Sequence, residues 1–150
     1  MNKHTSFRIG GPADIMVLPS DENEIIDILK YCSGNAIPIF IMGNGSNLLV
    51  RDKGIRGVVL KIGESFSDAM AEGTRIVAQS GILLSKLSRL ALGESLTGLE
   101  FASGIPGSLG GAVAMNAGAY GGEMKDVVVA VNAVDRSEER RVGKECRSRW

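Results

Sequence analysis

The 150-residue chain is long enough to bury one real core, and its 44% apolar and 23% charged residues are typical of an ordinary soluble globular protein. The formal net charge is zero, but residues 136–150 carry six Lys or Arg and three Asp or Glu, which leaves the first 135 residues with a net charge of −3. A slightly acidic body without a basic stripe gives no electrostatic case for nucleic-acid binding.

The cysteines and the start of the chain exclude several other classes. Cys32 and Cys146 lie in no CxxC pair, and His4 is the only histidine, so the sequence offers no zinc-ligand set. We expect no metal site and two unpaired thiols in a reducing compartment. The first residues lack the apolar core of a signal peptide, and no apolar run approaches the roughly 20 residues that span a membrane. We therefore predict a soluble, cytoplasmic protein with no membrane or protein partner implied.

The first half of the chain predicts a βαβ unit. An apolar run closed by a proline predicts a strand, and a Ser-Asp-Glu sequence then offers a helix N-cap followed by apolar residues at helical spacing. The next strand is apolar throughout, so we expect both of its faces to be buried. The predicted elements are a strand at Asp14–Pro19, a helix from Ser20 to Gly34, and strands at Pro38–Met42, Leu48–Val50 and Val58–Ile62.

The second half predicts one more strand, a helix and a final strand. Leucines between Leu83 and Ala91 mark one face of a helix, with polar residues mostly on the other. Strands are predicted at Thr74–Gln79 and Val127–Val134. The fold class is α+β, in two lobes at about 1–63 and 74–135 that meet near Gly63–Gly73.

A first glycine-rich loop follows the buried strand directly. Gly43 and Gly45 let the chain reverse and present consecutive backbone N–H groups in a concave nest, which binds phosphate without a charged side chain. Ser46 and Asn47 add short hydrogen-bond donors. The alternative is a plain hairpin turn, because Asn-Gly is a common hairpin signal.

A second loop, Ser103–Gly121, holds six glycines, four alanines and no charge. Exposed linkers normally carry charged residues, so this composition favours backbone packed against a flat ligand. Gly107 and Ser108 could open a short helix whose N-terminus faces an anion. The alternative is close helix–sheet packing, for which small residues suffice. Neither loop is a GxGxxG dinucleotide motif, and no GK[ST] sequence of a Walker A loop occurs.

Four segments together match one family: Asn2–Asp14, Gly43–Leu49, Gly98–Gly107 and Gly110–Gly121. They resemble the bacterial UDP-N-acetylenolpyruvoylglucosamine reductase family, a branch of the vanillyl-alcohol-oxidase-like (PCMH-type) flavoproteins. The resemblance runs from about Lys3 to Val134, in the family's order and spacing. It implies a two-lobed FAD-binding domain.

The resemblance also implies a reaction and a set of cofactor contacts. The family reduces UDP-GlcNAc-enolpyruvate to UDP-MurNAc in peptidoglycan synthesis, and NADPH supplies the hydride through FAD. It serves cell-wall biogenesis, and with it cell shape and division. By resemblance, one loop would cradle the FAD pyrophosphate, the other would line the second wall of the flavin site, and Tyr120 and Gly121 would lie close to that site. The implied cofactor-binding residues are Gly43, Asn44, Gly45, Ser46 and Asn47 in the first loop, and Ser103, Gly104, Ile105, Pro106, Gly107, Gly110, Gly111, Asn116 and Ala117 in the second.

No catalytic residue can be assigned. The family's basic residue in a YR motif, its proton-donating serine and its glutamate lie further along than this chain reaches, and no YR pair occurs here. We therefore expect an FAD-binding part that lacks the substrate-binding domain and is inactive alone. A stand-alone flavin- or nucleotide-binding module without reductase activity is the alternative.

The last fifteen residues break the pattern. Nine of residues 136–150 are charged, and the strand-like alternation stops at Asp135. A charge run of this kind is usually a solvated face or a basic tail. We interpret it instead as a non-native tail that resembles a translated sequencing adapter, and we exclude it from the fold.

Overall fold

A computed structural model describes residues 1–134 and the backbone of residues 140–143. The elements of the first lobe are β1 (Ala13–Val17), α1 (Glu22–Gly34), β2 (Ile39–Met42) and β3 (Ile55–Lys61). They are followed by β4 (Ala69–Glu72), β5 (Arg75–Ala78), α2 (Leu84–Gly93), α3 (Leu109–Ala114), β6 (Gly118–Ala119), β7 (Gly122–Glu123), α4 (Met124–Val127), β8 (Val131–Val134) and β9 (Arg140–Gly143), with 3-10 helices at Glu64–Phe66 and Glu100–Gly104. The mixed α+β fold predicted from the sequence is confirmed.

The centre of the first lobe is β3, which lies between β1 and β2 in a three-stranded parallel sheet. Its residues Val58, Val59 and Leu60 are buried, because neighbouring strands flank it on both sides. Three parallel strands bring their carboxyl ends to one edge of the sheet. At that edge Met42 of β2 lies in register with Lys61 of β3, so the loop after β2 emerges beside the end of β3.

The connection from β1 to β2 is the predicted helix. The side chain of Asp21 caps α1 by accepting a hydrogen bond from the backbone N–H of Glu24 at 2.9 Å, and the Glu24 carboxylate accepts one in return from the N–H of Ser20 at 2.7 Å. This exchange satisfies backbone donors that the first turn leaves without a partner. The helix buries Leu29 and Cys32.

The predicted burial of β2 on both faces is wrong. Phe40 is 37% and Ile41 51% exposed, whereas full burial occurs in β3. The physical reason is position in the sheet: β2 is an edge strand, and only the middle strand has a neighbour on each side. An apolar sequence alone does not distinguish the two positions.

Three other local predictions are corrected. Leu48–Val50 forms no strand; it is irregular chain in which Val50 packs against Gly10, close to where a Cβ on Gly10 would lie. The final strand begins at Val131 rather than Val127, because a capping box starts α4 first: the Glu123 carboxylate accepts from the backbone N–H of Asp126, and the Asp126 carboxylate accepts from that of Glu123. The sequence also gave no sign of β4, which pairs antiparallel with β5.

The described residues contain two clusters of buried side chains, and the division of the chain into two lobes stays a prediction. The first packs Met1, Met42, Val50 and Val59 under the parallel sheet. The second is built around α2, α3 and the 3-10 helix, from Ile82, Leu84, Leu87, Phe101, Ala102, Ala112 and Met124. Ala69, which lies between the two predicted lobes in the sequence, packs against the second cluster.

Four residues of the predicted tail take part in the fold. The backbone of β9 pairs antiparallel with β8, with Val131 opposite Gly143 and Val134 opposite Arg140. The rest of 136–150, including Cys146 and Trp150, lies outside the described residues, and the non-native origin of the segment stays a prediction. Within the described part of the chain, no helix is long and apolar enough to cross a membrane.

We expect Gly54→Ala to destabilise the chain far more than Gly73→Ala. Both glycines have positive φ, +73° and +61°, so each substitution costs about 1 kcal/mol for the left-handed backbone. A Cβ on Gly54 would also overlap the carbonyl oxygen of Pro12, whereas a Cβ on Gly73 would meet nothing within 4 Å. The overlap adds about 1–3 kcal/mol. Urea unfolding of the two variants measures the difference, and equal losses would contradict this account of Gly54.

Candidate functional site

The two glycine-rich loops meet at the carboxyl edge of the parallel sheet. A Cβ on Gly43 would overlap the hydroxyl oxygen of Ser108, and a Cβ on Gly107 would lie 3.1 Å from that of Ser46. The side-chain amide of Asn47 donates a hydrogen bond to the sulfur of Met115, 68 residues further along the chain, at 3.2 Å. The structure therefore brings the two predicted walls together.

Glycine is required where the loops touch. No side chain fits at Gly43, because the second loop occupies the space that its Cβ would need. Gly107 has φ of +144°, a conformation that side chains rarely adopt. These two positions combine close backbone approach with unusual backbone geometry. This is expected of loops that hold a ligand and not of an exposed connecting segment.

The N-terminal segment supports the first loop from the other side. Gly45 has φ of +66°, and a Cβ there would overlap the carbonyl oxygen of His4. The backbone N–H of Ser6 donates to the carbonyl of Gly45 at 3.1 Å. The shape of the loop thus depends on residues about 40 positions earlier in the chain, and a plain hairpin turn does not describe it.

Ser108 is a site residue that the sequence prediction left out of the predicted contacts. It is 3% exposed, and its hydroxyl has no hydrogen-bond partner in the described part of the chain. No side-chain nitrogen or oxygen there is both fully buried and without a partner, so this hydroxyl still reaches solvent, beside Gly43. The sequence did offer a signal for this site residue, because Ser108 is the one residue with a hydroxyl between Gly107 and Ala112.

The predicted helix after Ser108 is confirmed as α3, but its predicted role is wrong. Its first two N–H groups do not face an anion: Leu109 donates to the carbonyl of Ile82 and Gly110 to that of Ser80, each at 2.8 Å. A Cβ on Gly110 would come within 2.8 Å of the Ser80 Cβ. For this glycine the close-packing alternative holds.

The remaining predicted contacts lie away from the point where the two loops touch. Ser103, Gly104 and Pro106 are exposed, and Ile105 packs against the core of the second lobe. Asn116, with φ of +46°, donates its side-chain amide to Glu123 at 2.7 Å and accepts from the N–H of Lys125 at 2.9 Å. Ala117 likewise accepts from the N–H of Met124. Their cofactor contacts stay predictions, and the structure shows that Asn116 and Ala117 hold α4 against the second loop.

Tyr120 forms the tip of the β6–β7 hairpin. It is 97% exposed and has φ of +52°, and Gly121 follows with φ of +86°. Two successive residues with positive φ favour Asn-Gly over a tyrosine, so the hairpin presents an aromatic ring at a conformational cost.

Two basic groups lie beneath the first loop. The Nζ of Lys61 is 3.5 Å from the Nδ1 of His4. Burial, the Lys61 ammonium, the terminal ammonium and Lys3 lower the pKa of His4 below its usual 6.5. At neutral pH the imidazole is therefore uncharged, and its Nδ1 can accept a hydrogen bond from the ammonium. Among the described residues, no three His, Cys, Asp or Glu side chains group together to hold a metal ion.

Residues 13–142 match the sequence profile of a family described as "FAD binding domain". The chain belongs to this family. It is 57% identical to the UDP-N-acetylenolpyruvoylglucosamine reductase of Alkaliphilus oremlandii over 93% of this chain and 46% of the relative, and 55% identical to that of Clostridioides difficile over 90% and 44%. The crystal structure of the corresponding reductase from Thermus caldophilus has a TM-score of 0.76 and 34% identity, and the match covers 95% of this chain and 50% of that one. The predicted resemblance is confirmed, and the chain spans about half the length of the curated relatives it matches.

The groups at the contact between the loops fit the cofactor that the family name specifies. FAD carries a diphosphate, which is bound by hydrogen-bond donors at close range and not by large side chains. The site supplies glycine backbone at Gly43, Gly45 and Gly107, whose Cβ positions are filled or strained, and a hydroxyl without a partner at Ser108. This donor set suits phosphate oxygens and requires no metal ion.

We expect Gly43→Ala to separate the two loops, and Ser108→Ala to restore their contact in the double variant. The new Cβ would overlap only the Ser108 hydroxyl oxygen at close range, since the Ser108 Cβ lies 3.6 Å away, an ordinary contact distance. The single substitution should cost about 1–3 kcal/mol of unfolding free energy. Chemical denaturation of the two single variants and the double variant measures the coupling; additive losses would show that the overlap is not the cause.

The lowered pKa of His4 gives a pH dependence of stability. The folded pKa is below 6.5, so the unfolded state takes up the proton more readily. The contribution of neutral His4 is present above pH 6.5 and is lost as the pH falls through the lower folded value. His4→Asn should remove this part of the dependence. Urea midpoints at pH 7.5 and 5.5 are the test, and an equal drop for wild type and variant would refute it.

Proposed function

We propose that this chain is the FAD-binding part of a reductase that converts UDP-GlcNAc-enolpyruvate to UDP-MurNAc. The observation that carries the proposal is the contact between the loops Gly43–Asn47 and Ser103–Gly121, in a chain that is 57% identical to a reductase of that name. The substrate class is a UDP-sugar and the reductant is NADPH. The setting we infer is cytoplasmic peptidoglycan synthesis, on which cell shape and division depend.

The two loops would contact different parts of the cofactor. The backbone of Gly43–Asn47, with the hydroxyls of Ser46 and Ser108, would hold the diphosphate, because these groups converge where the loops touch. The exposed margin of the second loop would face the flavin ring, and it offers an apolar surface in Met115 and Tyr120. When bound, FAD supplies the transfer of hydride from NADPH to the substrate double bond.

The described residues offer binding groups but no acid–base pair for that reaction. The hydroxyl of Ser103 donates to the carbonyl of Glu100, and the carboxylate of Glu123 is engaged by Lys125 and Asn116. Reduction of an enolpyruvyl ether also needs a proton donor beside the carbon. We infer that this group comes from the part of the relatives that the chain does not cover.

The chain should therefore bind FAD and fail to turn over. Titration with FAD, followed by flavin fluorescence and by absorbance near 450 nm, should give a saturable, one-to-one complex. Addition of NADPH and UDP-GlcNAc-enolpyruvate should give no UDP-MurNAc. Absence of FAD binding would refute the proposal. Turnover by this chain would refute the assignment of the proton donor to the uncovered half.

The rival, a stand-alone flavin module, makes a different prediction for complementation. A second chain that carries the uncovered half of one of the relatives should restore UDP-MurNAc formation if this chain is the cofactor part of a reductase. A stand-alone module should gain nothing. The matched control is the same mixture with the Gly43→Ala chain, in which the loop contact is broken.

A further inference from the structure

Lys61 is a half-buried cation that has no ion pair among the described residues. It ends β3, in register with Met42, the residue immediately before the loop Gly43–Asn47. The lysines that do have ion pairs are on the surface: Lys86 with Glu64, and Lys125 with Glu123. The ammonium of Lys61 is therefore available to pair with an anion at this edge of the sheet.

The surroundings of Lys61 fix its side chain without neutralising it. Its Nζ lies 3.5 Å from the Nδ1 of His4, which uses one of the three ammonium donors and leaves two. His4 belongs to the same segment that shapes the loop, since its carbonyl oxygen occupies the Cβ position of Gly45. The segment from His4 to Ser6 thus holds the loop and the lysine in one arrangement.

The strand topology directs this charge toward the loop. In parallel sheets, ligands bind beyond the carboxyl ends of the strands, and both β2 and β3 end here. The N–H of Ile62, directly after Lys61, donates to the carbonyl of Met42 at 2.8 Å. The chain after Lys61 therefore runs beside the start of the loop.

We propose that Lys61 is a cofactor-binding residue, whose ammonium, positioned by His4, neutralises one negative charge of the FAD diphosphate held by Gly43–Asn47. This rests on the proposed function. It adds a cation to a site that otherwise consists of backbone N–H groups and hydroxyls. It also makes FAD affinity depend on ionic strength, because a charge pair at a half-exposed site is screened by salt.

The test compares FAD affinity of Lys61→Met with that of Lys53→Met at low and high salt. Lys53 is an exposed lysine before the amino end of β3, at the opposite edge of the sheet, so it controls for general charge. We expect Lys61→Met to bind FAD about tenfold more weakly at low salt, the effect of about 1.4 kcal/mol. The difference should shrink at 0.5 M salt, Lys53→Met should match wild type, and Lys61→Arg should keep most of the affinity.

Each other outcome is decisive. Equal binding by Lys61→Met and wild type, or a loss of equal size at both salt concentrations, overturns the inference and leaves the proposed function standing. So does a matching loss in Lys53→Met. If the wild-type chain binds no FAD, the proposed function itself fails. Circular dichroism of Lys61→Met checks the fold. If the Met variant is unfolded, the FAD affinity of Lys61→Arg is compared with that of wild type instead.

The positioning role of His4 has its own readout. His4→Asn keeps an acceptor near the lysine and should retain the salt dependence of FAD binding, whereas His4→Phe should lose it. In the Lys61→Met background, His4→Phe should cause no further loss of affinity. A further loss there would show that His4 acts on the loop alone and not through Lys61.

Discussion

The structure depends on one close approach, that of the Gly43–Asn47 loop to the start of α3. There is no room for a Cβ on Gly43 because Ser108 lies against it, and Gly107 approaches Ser46 in a backbone conformation that favours glycine. The other elements of the site hold the two loops at this contact. The parallel strands bring the first loop to the sheet edge, and hydrogen bonds to the carbonyls of Ser80 and Ile82 fix the start of α3 opposite it.

The two walls are made in different ways. The first is a short loop that follows the edge strand β2. The N-terminal segment imposes its shape through Ser6 and His4. The second is a longer segment held by a side-chain network, in which Asn116 links Glu123 and the backbone of Lys125. The Lys125 ammonium and the Asn116 amide lower the pKa of Glu123, so the carboxylate stays charged and the network keeps its acceptor. The second loop, which carries no charge, is thus held by the charged residues that follow it.

The distribution of polar groups separates binding from chemistry. Backbone N–H groups and hydroxyls that suit phosphate oxygens converge between the loops, and apolar side chains such as Met115 lie at the open margin. Groups able to donate a proton at a reacting carbon are not gathered there within the described residues. The chain covers about half the length of its reductase relatives. This distribution of polar groups is the one expected if the uncovered half provides the reacting groups.

The sequence by itself determined the α+β class, the helices α1, α2 and α3, and the two glycine-rich loops, because glycine clusters, caps and helical spacing are local signals. Only the tertiary structure decided which strand is central, since apolar sequences are alike in β2 and β3 and burial depends on neighbours on both sides. It also showed that the first amides of α3 donate to Ser80 and Ile82, and that the Ser108 hydroxyl lies beside Gly43. These features depend on contacts between residues far apart in the chain, such as Asn47 with Met115, which no local pattern encodes.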